Sequence, residues 1–205
     1  MKYSMLFENY QLGPILLKNK IIMAPLTRQC ANDDGEPNDE MVAYYARRAR
    51  GGVGLIITEG TYPSENLGAI GYLNQPGCCK KTHVKNWKKI VDAVHENGSS
   101  IILQLMHAGR VADPRTLKKN EKPVSSSSTK SDGWVLYTDS DDEKHDRGIK
   151  GDWPQINFPE AKSLTKIEIE EIANDFAKSA SLAIEAGFDG VEVHGANGYL
   201  LYQFT

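Results

Sequence analysis

The sequence predicts an α/β fold built from parallel βα units. Short apolar runs of strand length alternate with longer segments in which apolar residues recur every three or four positions. Glycines follow the helical segments and precede the next apolar run. The chain has 205 residues, of which 40% are hydrophobic and 25% charged, so it can bury the core that such a fold needs.

The N-terminal part predicts a hairpin followed by the first strand. Within residues 12–26 ("LGPILLKNKIIMAPL"), apolar runs flank a polar turn at Lys18, Asn19 and Lys20, a pattern typical of a hairpin. The apolar residues that follow the turn predict the first strand of the parallel sheet over 21–24.

Residues 37–52 predict the first helix. Asp39 is the candidate N-cap, and Gly51 and Gly52 are the predicted stop. The apolar run 53–60 then predicts a strand covered on both faces. Because the glycines of "GGVG" (51–54) follow a helix rather than a strand, they indicate a helix stop and not a dinucleotide-binding turn. The residues at helical spacing are Met41, Tyr44, Tyr45 and Arg48.

The same cycle occurs twice more. Residues 82–98 predict a helix that ends at Gly98, and 100–105 ("SIILQL") predict the third strand. Thr165 and Glu168 predict a capping box, Gly187 a stop, and 189–193 ("DGVEV") the fourth strand. Four units of this kind amount to half of a (β/α)8 barrel. The predicted buried faces are Val84, Trp87, Ile90, Val91 and Val94 in one helix and Ile169, Ile172, Phe176, Ala180, Ala183 and Ile184 in the other.

Residues 107–160 interrupt the alternation. This stretch is rich in Ser, Asp and Lys and is too long for an ordinary connection. One interpretation is a disordered insertion, and the other is an excursion over the functional site with a small hairpin at 134–137. On either interpretation we expect one domain over residues 1–205.

Charge and hydropathy exclude several classes of protein. A net charge of −3 gives no basic surface for nucleic acid or anionic membranes. The first 14 residues lack the apolar run of a signal peptide, and no stretch approaches a membrane span. We therefore expect a cytoplasmic protein with no membrane and no nucleic-acid partner.

Cysteine and histidine spacing gives no sign of a disulfide framework or a metal site. Cys30, Cys78 and Cys79 form no CxxC pair, so reduced thiols are expected. A zinc site would need His107, His194 and a carboxylate, but no ligand spacing supports it. We expect no metal.

Polar side chains follow each predicted strand. Thr27, Gln104, His194 and Asn197 could fix a flat heterocycle, and Gly60 would leave room for its ring. In parallel α/β proteins, function gathers at the carboxyl ends of strands. Taken singly, each residue also fits a structural role: Gln104 as a buried amide, His194 as a structural histidine, and the following Tyr199 as a packing residue.

Five segments together resemble one family. They are "MAPLTR" (23–28), "PNDEMVAYYARRA" (37–49), "GLIITEGT" (54–61), "QLMHAGR" (104–110) and "AIEAGFDGVEVHGANGYLLYQF" (183–204). In this order they resemble the flavin-dependent ene-reductases of the old yellow enzyme family. The resemblance implies a (β/α)8 barrel that holds FMN, NADH or NADPH as reductant, and as substrate an alkene conjugated to a carbonyl or nitro group.

The resemblance also implies roles for individual residues. Pro25, Thr27 and Gly60 would contact the flavin, and Gln104 would bind its pyrimidine edge. The substrate-side residues would be His194 and Asn197, which donate to the substrate oxygen, and Tyr199, which delivers a proton to the α-carbon.

The resemblance extends over the N-terminal half of the family only. It implies a TIM barrel truncated to about four βα units, without the strands and phosphate-binding loops of the second half. Two hypotheses follow: an FMN-dependent oxidoreductase, or a non-catalytic fragment that binds flavin weakly or not at all. Open barrel edges would favour association, for example as a homodimer. The visible absorption spectrum of the purified protein would separate the two hypotheses.

Overall fold

A computed structural model describes residues 3–112, 116, 122–132, 134–136 and 155–205. Short 3-10 helices lie at Ser4–Phe7, Gly109–Val111 and Tyr202–Phe204. The other elements, in chain order, are β1 (Tyr10–Leu12), β2 (Ile15–Leu17), β3 (Ile22–Met23), α1 (Asp39–Arg50), β4 (Leu55–Ile57), α2 (Lys81–His95), β5 (Ser100–Leu105), β6 (Val124–Ser125), β7 (Trp134–Leu136), β8 (Gln155–Asn157), β9 (Lys162–Ser163), α3 (Lys166–Ala186) and β10 (Gly190–Val193).

A parallel sheet with the strand order β3-β4-β5-β10 organises the described part of the chain. Helix α1 connects β3 to β4, α2 connects β4 to β5, and α3 precedes β10. The predicted α/β fold with parallel strands is therefore confirmed. The third strand has the predicted bounds, while β3 and β4 are shorter than predicted.

The predicted hairpin turn at Lys18, Asn19 and Lys20 is wrong. The hairpin is β1 paired with β2, and its turn contains Gly13, whose φ of 54° is readily accessible to glycine. Asn19 instead anchors the start of the sheet: its Nδ2 donates to the Gly52 carbonyl at 2.7 Å. Because Asn19 is buried, its amide must be hydrogen-bonded, which explains a polar residue beside the first strand.

Helix ends follow the predicted signals, with two corrections. Helix α2 ends at His95, before the predicted stop at Gly98. The cap of α1 is Asn38, whose Oδ1 accepts from Met41 N at 3.2 Å, and Asp39 is the first helical residue. An amide oxygen caps as well as a carboxylate does, so the spacing alone could not choose between these neighbours. The capping box of Thr165 and Glu168 is confirmed, and Gly187 ends α3 with a φ of 97°.

The core lies between the helices and the outer face of the sheet. Helix α2 packs between α1 and α3, and all five residues of its predicted face are buried. The predicted face of α3 is wrong in part, since Ile169 and Ile184 are 38% and 57% exposed. At 100° per residue, the buried stripe of Ile172, Ser179, Leu182, Ala183 and Ala186 leaves Ile184 on the opposite side of the helix.

Part of the segment 107–160 is described. β6 pairs in parallel with β9, and β7 pairs in an antiparallel manner with β8. The remainder, including Tyr137 of the predicted hairpin at 134–137, lies outside the described residues. Whether this segment is an insertion or an excursion over the functional site stays a prediction.

His107 is a buried structural residue just after β5. It is 1% exposed, and its Nδ1 accepts from Gly109 N at 3.1 Å. Its carbonyl accepts from Leu200 N at 3.0 Å, which joins the end of β5 to the segment after β10. Burial lowers the pKa of His107 to about 3, so its imidazole is neutral.

The described ranges lack a metal-binding cluster and a membrane-spanning helix. No group of three His, Cys, Asp or Glu side chains there could hold a metal ion. No helix within those ranges is long and apolar enough to cross a bilayer.

We expect the chain to lose stability in mild acid because of His107. Below its ordinary pKa of 6.5 the unfolded chain binds a proton that the folded chain does not bind until about pH 3. The free energy of unfolding should therefore fall by up to about 1.4 kcal/mol per pH unit in this window. Urea denaturation at several pH values would measure the slope. His107→Gln should reduce the slope whatever its effect at pH 7, and an unchanged slope would contradict the assignment.

Candidate active site

The carboxyl ends of three strands meet at one edge of the sheet. Gln104 on β5 is paired in register with Glu192 on β10. Thr61 N, after β4, donates to the Gln104 carbonyl at 2.8 Å, and His194 N donates to the Leu105 carbonyl at 2.9 Å. Parallel pairing thus brings the predicted strand-end residues to one edge of the sheet.

Gln104 is buried, and its side chain is held by β10. Its Nε2 donates to Glu192 Oε1 at 2.7 Å, and its backbone N donates to Thr58 Oγ1 at 3.0 Å. The Oε1 of Gln104 lies 3.5 Å from the position that a Cβ would occupy at Gly60. The amide therefore has a fixed orientation with its oxygen towards Gly60.

Gly60 lies close to the side chain of Met106. A Cβ at this position would come within 2.7 Å of Met106 Sδ. Met106 would therefore have to shift to admit a side chain at Gly60, a contact that the sequence did not reveal. Its predicted place beside a ring stays a prediction.

Pro25 and Thr27 lie in the loop after β3. Pro25 is half-buried and Thr27 is exposed. Glu59 fixes this loop, because its Oε2 accepts from Arg28 N, the neighbour of Thr27, at 2.9 Å. The structure therefore ties this loop to the end of β4, next to Gly60.

Glu59 is a site residue that the sequence analysis missed. It is 2% exposed, and its Oε1 accepts from the Tyr45 hydroxyl at 3.2 Å, while its N donates to that hydroxyl at 3.1 Å. Burial raises the pKa of Glu59, although the Arg28 backbone and Tyr45 hydrogen bonds oppose the shift. A carboxylate directly after a buried apolar strand was the available signal.

His194 and Asn197 are brought together just after β10. The Nδ2 of Asn197 lies 3.4 Å from Nε2 of His194. Asn197 has a φ of 57°, a left-handed conformation that Asn tolerates better than most residues. Burial lowers the pKa of His194 and the charge of Glu192 opposes it, so a neutral imidazole is favoured. Their shared substrate role stays a prediction.

Tyr199 is in contact with two aromatic side chains. Its ring centroid is 5.0 Å from that of His194, and its hydroxyl contacts the hydroxyl of Tyr72 directly. Tyr72 lies in the long loop between β4 and α2 and had no place in the sequence analysis. His194, Asn197, Tyr199 and Tyr72 thus form one polar cluster at the sheet edge.

Gln203 binds the backbone next to this cluster. Its Oε1 accepts from Arg110 N at 3.1 Å, and its Nε2 donates to the Gly198 carbonyl at 2.7 Å. A side chain at Gly109, whose φ is 61°, would collide with Gln203. This contact joins the "HAGR" segment to the "YQF" segment, which spacing alone did not reveal.

Similar proteins share this architecture. Residues 5–205 match the NADH:flavin oxidoreductase / NADH oxidase family. The chain is 41% identical over 202 residues to the NADP-dependent oxidoreductase lnbE of Aspergillus flavus, covering 98% of this chain and 47% of that protein. It is 37% identical over 199 residues to 12-oxophytodienoate reductase 1 of Oryza sativa subsp. japonica, covering 97% and 47%.

Solved structures agree with the sequence comparison. Morphinone reductase in complex with tetrahydroNAD superposes with a TM-score of 0.83 at 37% identity, covering 97% of this chain and 51% of that one. The old yellow enzyme homologue from Zymomonas mobilis gives 0.80 at 35% identity, covering 95% and 49%. The chain spans about half the length of the curated relatives it matches.

The resemblance indicated by the sequence motifs is thereby confirmed. The family uses FMN, and the tetrahydroNAD complex of morphinone reductase agrees with a nicotinamide reductant. The match extends over all but the first four residues of the chain. The chain belongs to the NADH:flavin oxidoreductase / NADH oxidase family.

Proposed function

We propose that this chain supplies the substrate-binding and flavin-ring side of an FMN-dependent ene-reductase. The reaction is the reduction of an alkene conjugated to an electron-withdrawing group, with NADH or NADPH as the reductant. The observation that carries the proposal is that three residues of the polar cluster lie at the same sheet edge as Gln104 and Gly60. These three are His194, Asn197 and Tyr199.

The residues on the flavin side suit the proposed cofactor. Gln104 offers a fixed amide to the pyrimidine edge of a flavin, and Thr27 offers a hydroxyl from the anchored loop that also contains Pro25. Gly60 adds no side chain beside Gln104. When bound, FMN supplies the hydride that reaches the β-carbon of the alkene.

His194 and Asn197 would bind the electron-withdrawing oxygen of the substrate. Both side chains carry N–H donors, and they lie close enough to converge on one atom once their mutual contact opens. Negative charge develops on this oxygen during reduction, so donors held in place stabilise the transition state more than the substrate. A neutral imidazole retains one N–H for this purpose.

Tyr199 would deliver the proton. Its ring lies beside that of His194, so a substrate bound by His194 would have the Tyr199 hydroxyl close to its α-carbon. A phenol hydroxyl is an O–H donor and can act as a general acid.

We expect the substitutions His194→Ala and Asn197→Ala to separate substrate binding from flavin binding. In the flavin-loaded protein, each should weaken the binding of a phenol such as 4-hydroxybenzaldehyde by about 10-fold or more, because a donor to a charged oxygen is lost. Isothermal titration calorimetry with the phenol, and flavin fluorescence titration with FMN, would measure the two affinities. Equal losses of both affinities would contradict the assignment, and so would unchanged affinity for the phenol.

Glu59 is expected to hold in position the loop after β3, which contains Pro25 and Thr27. Glu59→Ala would leave the Tyr45 hydroxyl and Arg28 N without their acceptor, so the free energy of unfolding should fall by about 1–3 kcal/mol. Glu59→Gln retains an acceptor and is the matched control, with a smaller loss. Urea denaturation of the two variants would measure the difference. Hydrogen exchange of the Arg28 amide should accelerate in Glu59→Ala, and unchanged exchange would contradict the anchoring role.

We also propose that the chain associates through apolar surface beside β10. A cavity of about 470 Å³ there is lined by Ile169, Ile172, Ala173, Phe176, Val193, Leu200, Leu201 and Phe204. In the described sheet, β10 is one edge strand and β3 the other, and Ile22 on β3 is also exposed. Apolar surface beside a free strand edge favours pairing with another copy.

The 205-residue chain alone should therefore not remain monomeric at micromolar concentration. Sedimentation equilibrium would measure its mass, and Ile169→Lys should shift the chain towards the monomer by placing a charge in the cavity. Ile184→Lys, on the same helix but away from the cavity, is the matched control. A single species near 22.7 kDa with cooperative unfolding would contradict the proposal.

A further inference from the structure

We propose that Tyr72 is a positioning residue that acts through Tyr199, and that Gln75 holds Tyr72 in place. The Tyr72 hydroxyl donates a hydrogen bond to the Tyr199 oxygen and stabilises that oxygen as it gives up its proton. This inference rests on the proposed function, since it assigns a partner to the proton donor of that reaction.

The first observation is the contact between the two hydroxyls. Tyr72 and Tyr199 are 127 positions apart in the sequence, yet their hydroxyl oxygens are in direct contact. Each hydroxyl can donate or accept. Because Tyr199 must direct its own proton at the substrate, Tyr72 has to be the donor in the productive arrangement.

The environment of Tyr72 suits a permanent donor. Burial raises the pKa of Tyr72 well above its ordinary value, and Tyr199 adds to the shift. Tyr72 therefore keeps its proton at physiological pH. A hydrogen bond to an ionised oxygen is stronger than one to a neutral oxygen, so this contact stabilises the Tyr199 oxygen as its proton leaves.

Gln75 fixes the backbone around Tyr72. It is 2% exposed, and its Oε1 accepts from Gly71 N at 2.8 Å and from Tyr72 N at 3.3 Å. Its Nε2 donates to the Gly60 carbonyl at 2.9 Å. One buried amide thus connects the end of β4 to the residue that contacts Tyr199.

Hydride transfer and proton transfer form two new C–H bonds. FMN, when bound and reduced, would supply the hydride for the C–H bond at the β-carbon, and the alkene electron pair would move towards the electron-withdrawing group. The O–H bond of Tyr199 then breaks, a C–H bond forms at the α-carbon, and the electron pair remains on the Tyr199 oxygen. Tyr72 donates to that oxygen until water returns the proton.

Tyr72→Phe is the decisive variant. In the flavin-loaded protein, we expect kcat for an enone to fall by about 10- to 100-fold, the range for one hydrogen bond to a charged group, with KM little changed. Turnover with ferricyanide, a one-electron acceptor that needs no proton on carbon, should be unchanged. Equal losses with both acceptors, or no loss with the enone, would overturn the proposal.

A second readout does not depend on catalysis. With ring-¹³C tyrosine, the Cζ signal of Tyr199, assigned by its absence in Tyr199→Phe, should move in Tyr72→Phe. It should also move in Gln75→Leu, which removes the acceptor of Gly71 N and Tyr72 N. An unmoved signal in Tyr72→Phe would overturn the contact itself. If Tyr199→Phe reduces the enone at the normal rate, Tyr199 is not the proton donor of the proposed function. The inferred role of Tyr72 is then also wrong.

Discussion

The register of the parallel sheet is the constraint on which the candidate site depends. Hydrogen bonds between β5 and β10 place Gln104 beside Glu192, and the next bond in the ladder sets His194 N against the Leu105 carbonyl. A slip of one residue would turn every side chain of a strand to the other face. Gln104 would then leave the site and an apolar neighbour would enter it. The apolar residues that cover the outer face of β5 thus also fix the polar residues at its end.

Three buried polar side chains bind the backbone of loops beside the sheet and so fix the loops relative to the strands. Glu59 binds the backbone of the loop after β3, Gln75 binds the backbone around Tyr72, and Gln203 binds the backbone at Arg110. A buried amide or carboxylate is costly unless it is hydrogen-bonded, so each side chain stabilises the loop arrangement that satisfies it. Loops without regular secondary structure thereby acquire fixed positions relative to the strands.

The sequence predicted best what depends on local pattern. The bounds of β5 and the buried face of α2 follow from apolar spacing between turn residues, and Thr165 is identified by its capping box. Errors arose where tertiary contacts decide the outcome. Asn19 lies in a polar stretch typical of a turn, but its side chain is a buried anchor. Tyr72 could not be predicted, because its loop has no periodicity and its partner lies 127 residues away.

The polar residues of the site form an exposed group and a buried group, and this difference has a physical reason. Thr27 and Asn197 are exposed and His194 is half-buried, whereas Glu59 and Gln75 are almost completely buried. Most of the groups proposed to meet a ligand are reachable from solvent, with buried Gln104 as the exception, and groups that hold them work best where water cannot compete for their hydrogen bonds. Loss of an exposed group therefore removes a ligand contact at little cost in stability. Loss of a buried holder changes stability and geometry together, because the backbone groups that it satisfied stay behind in the protein interior.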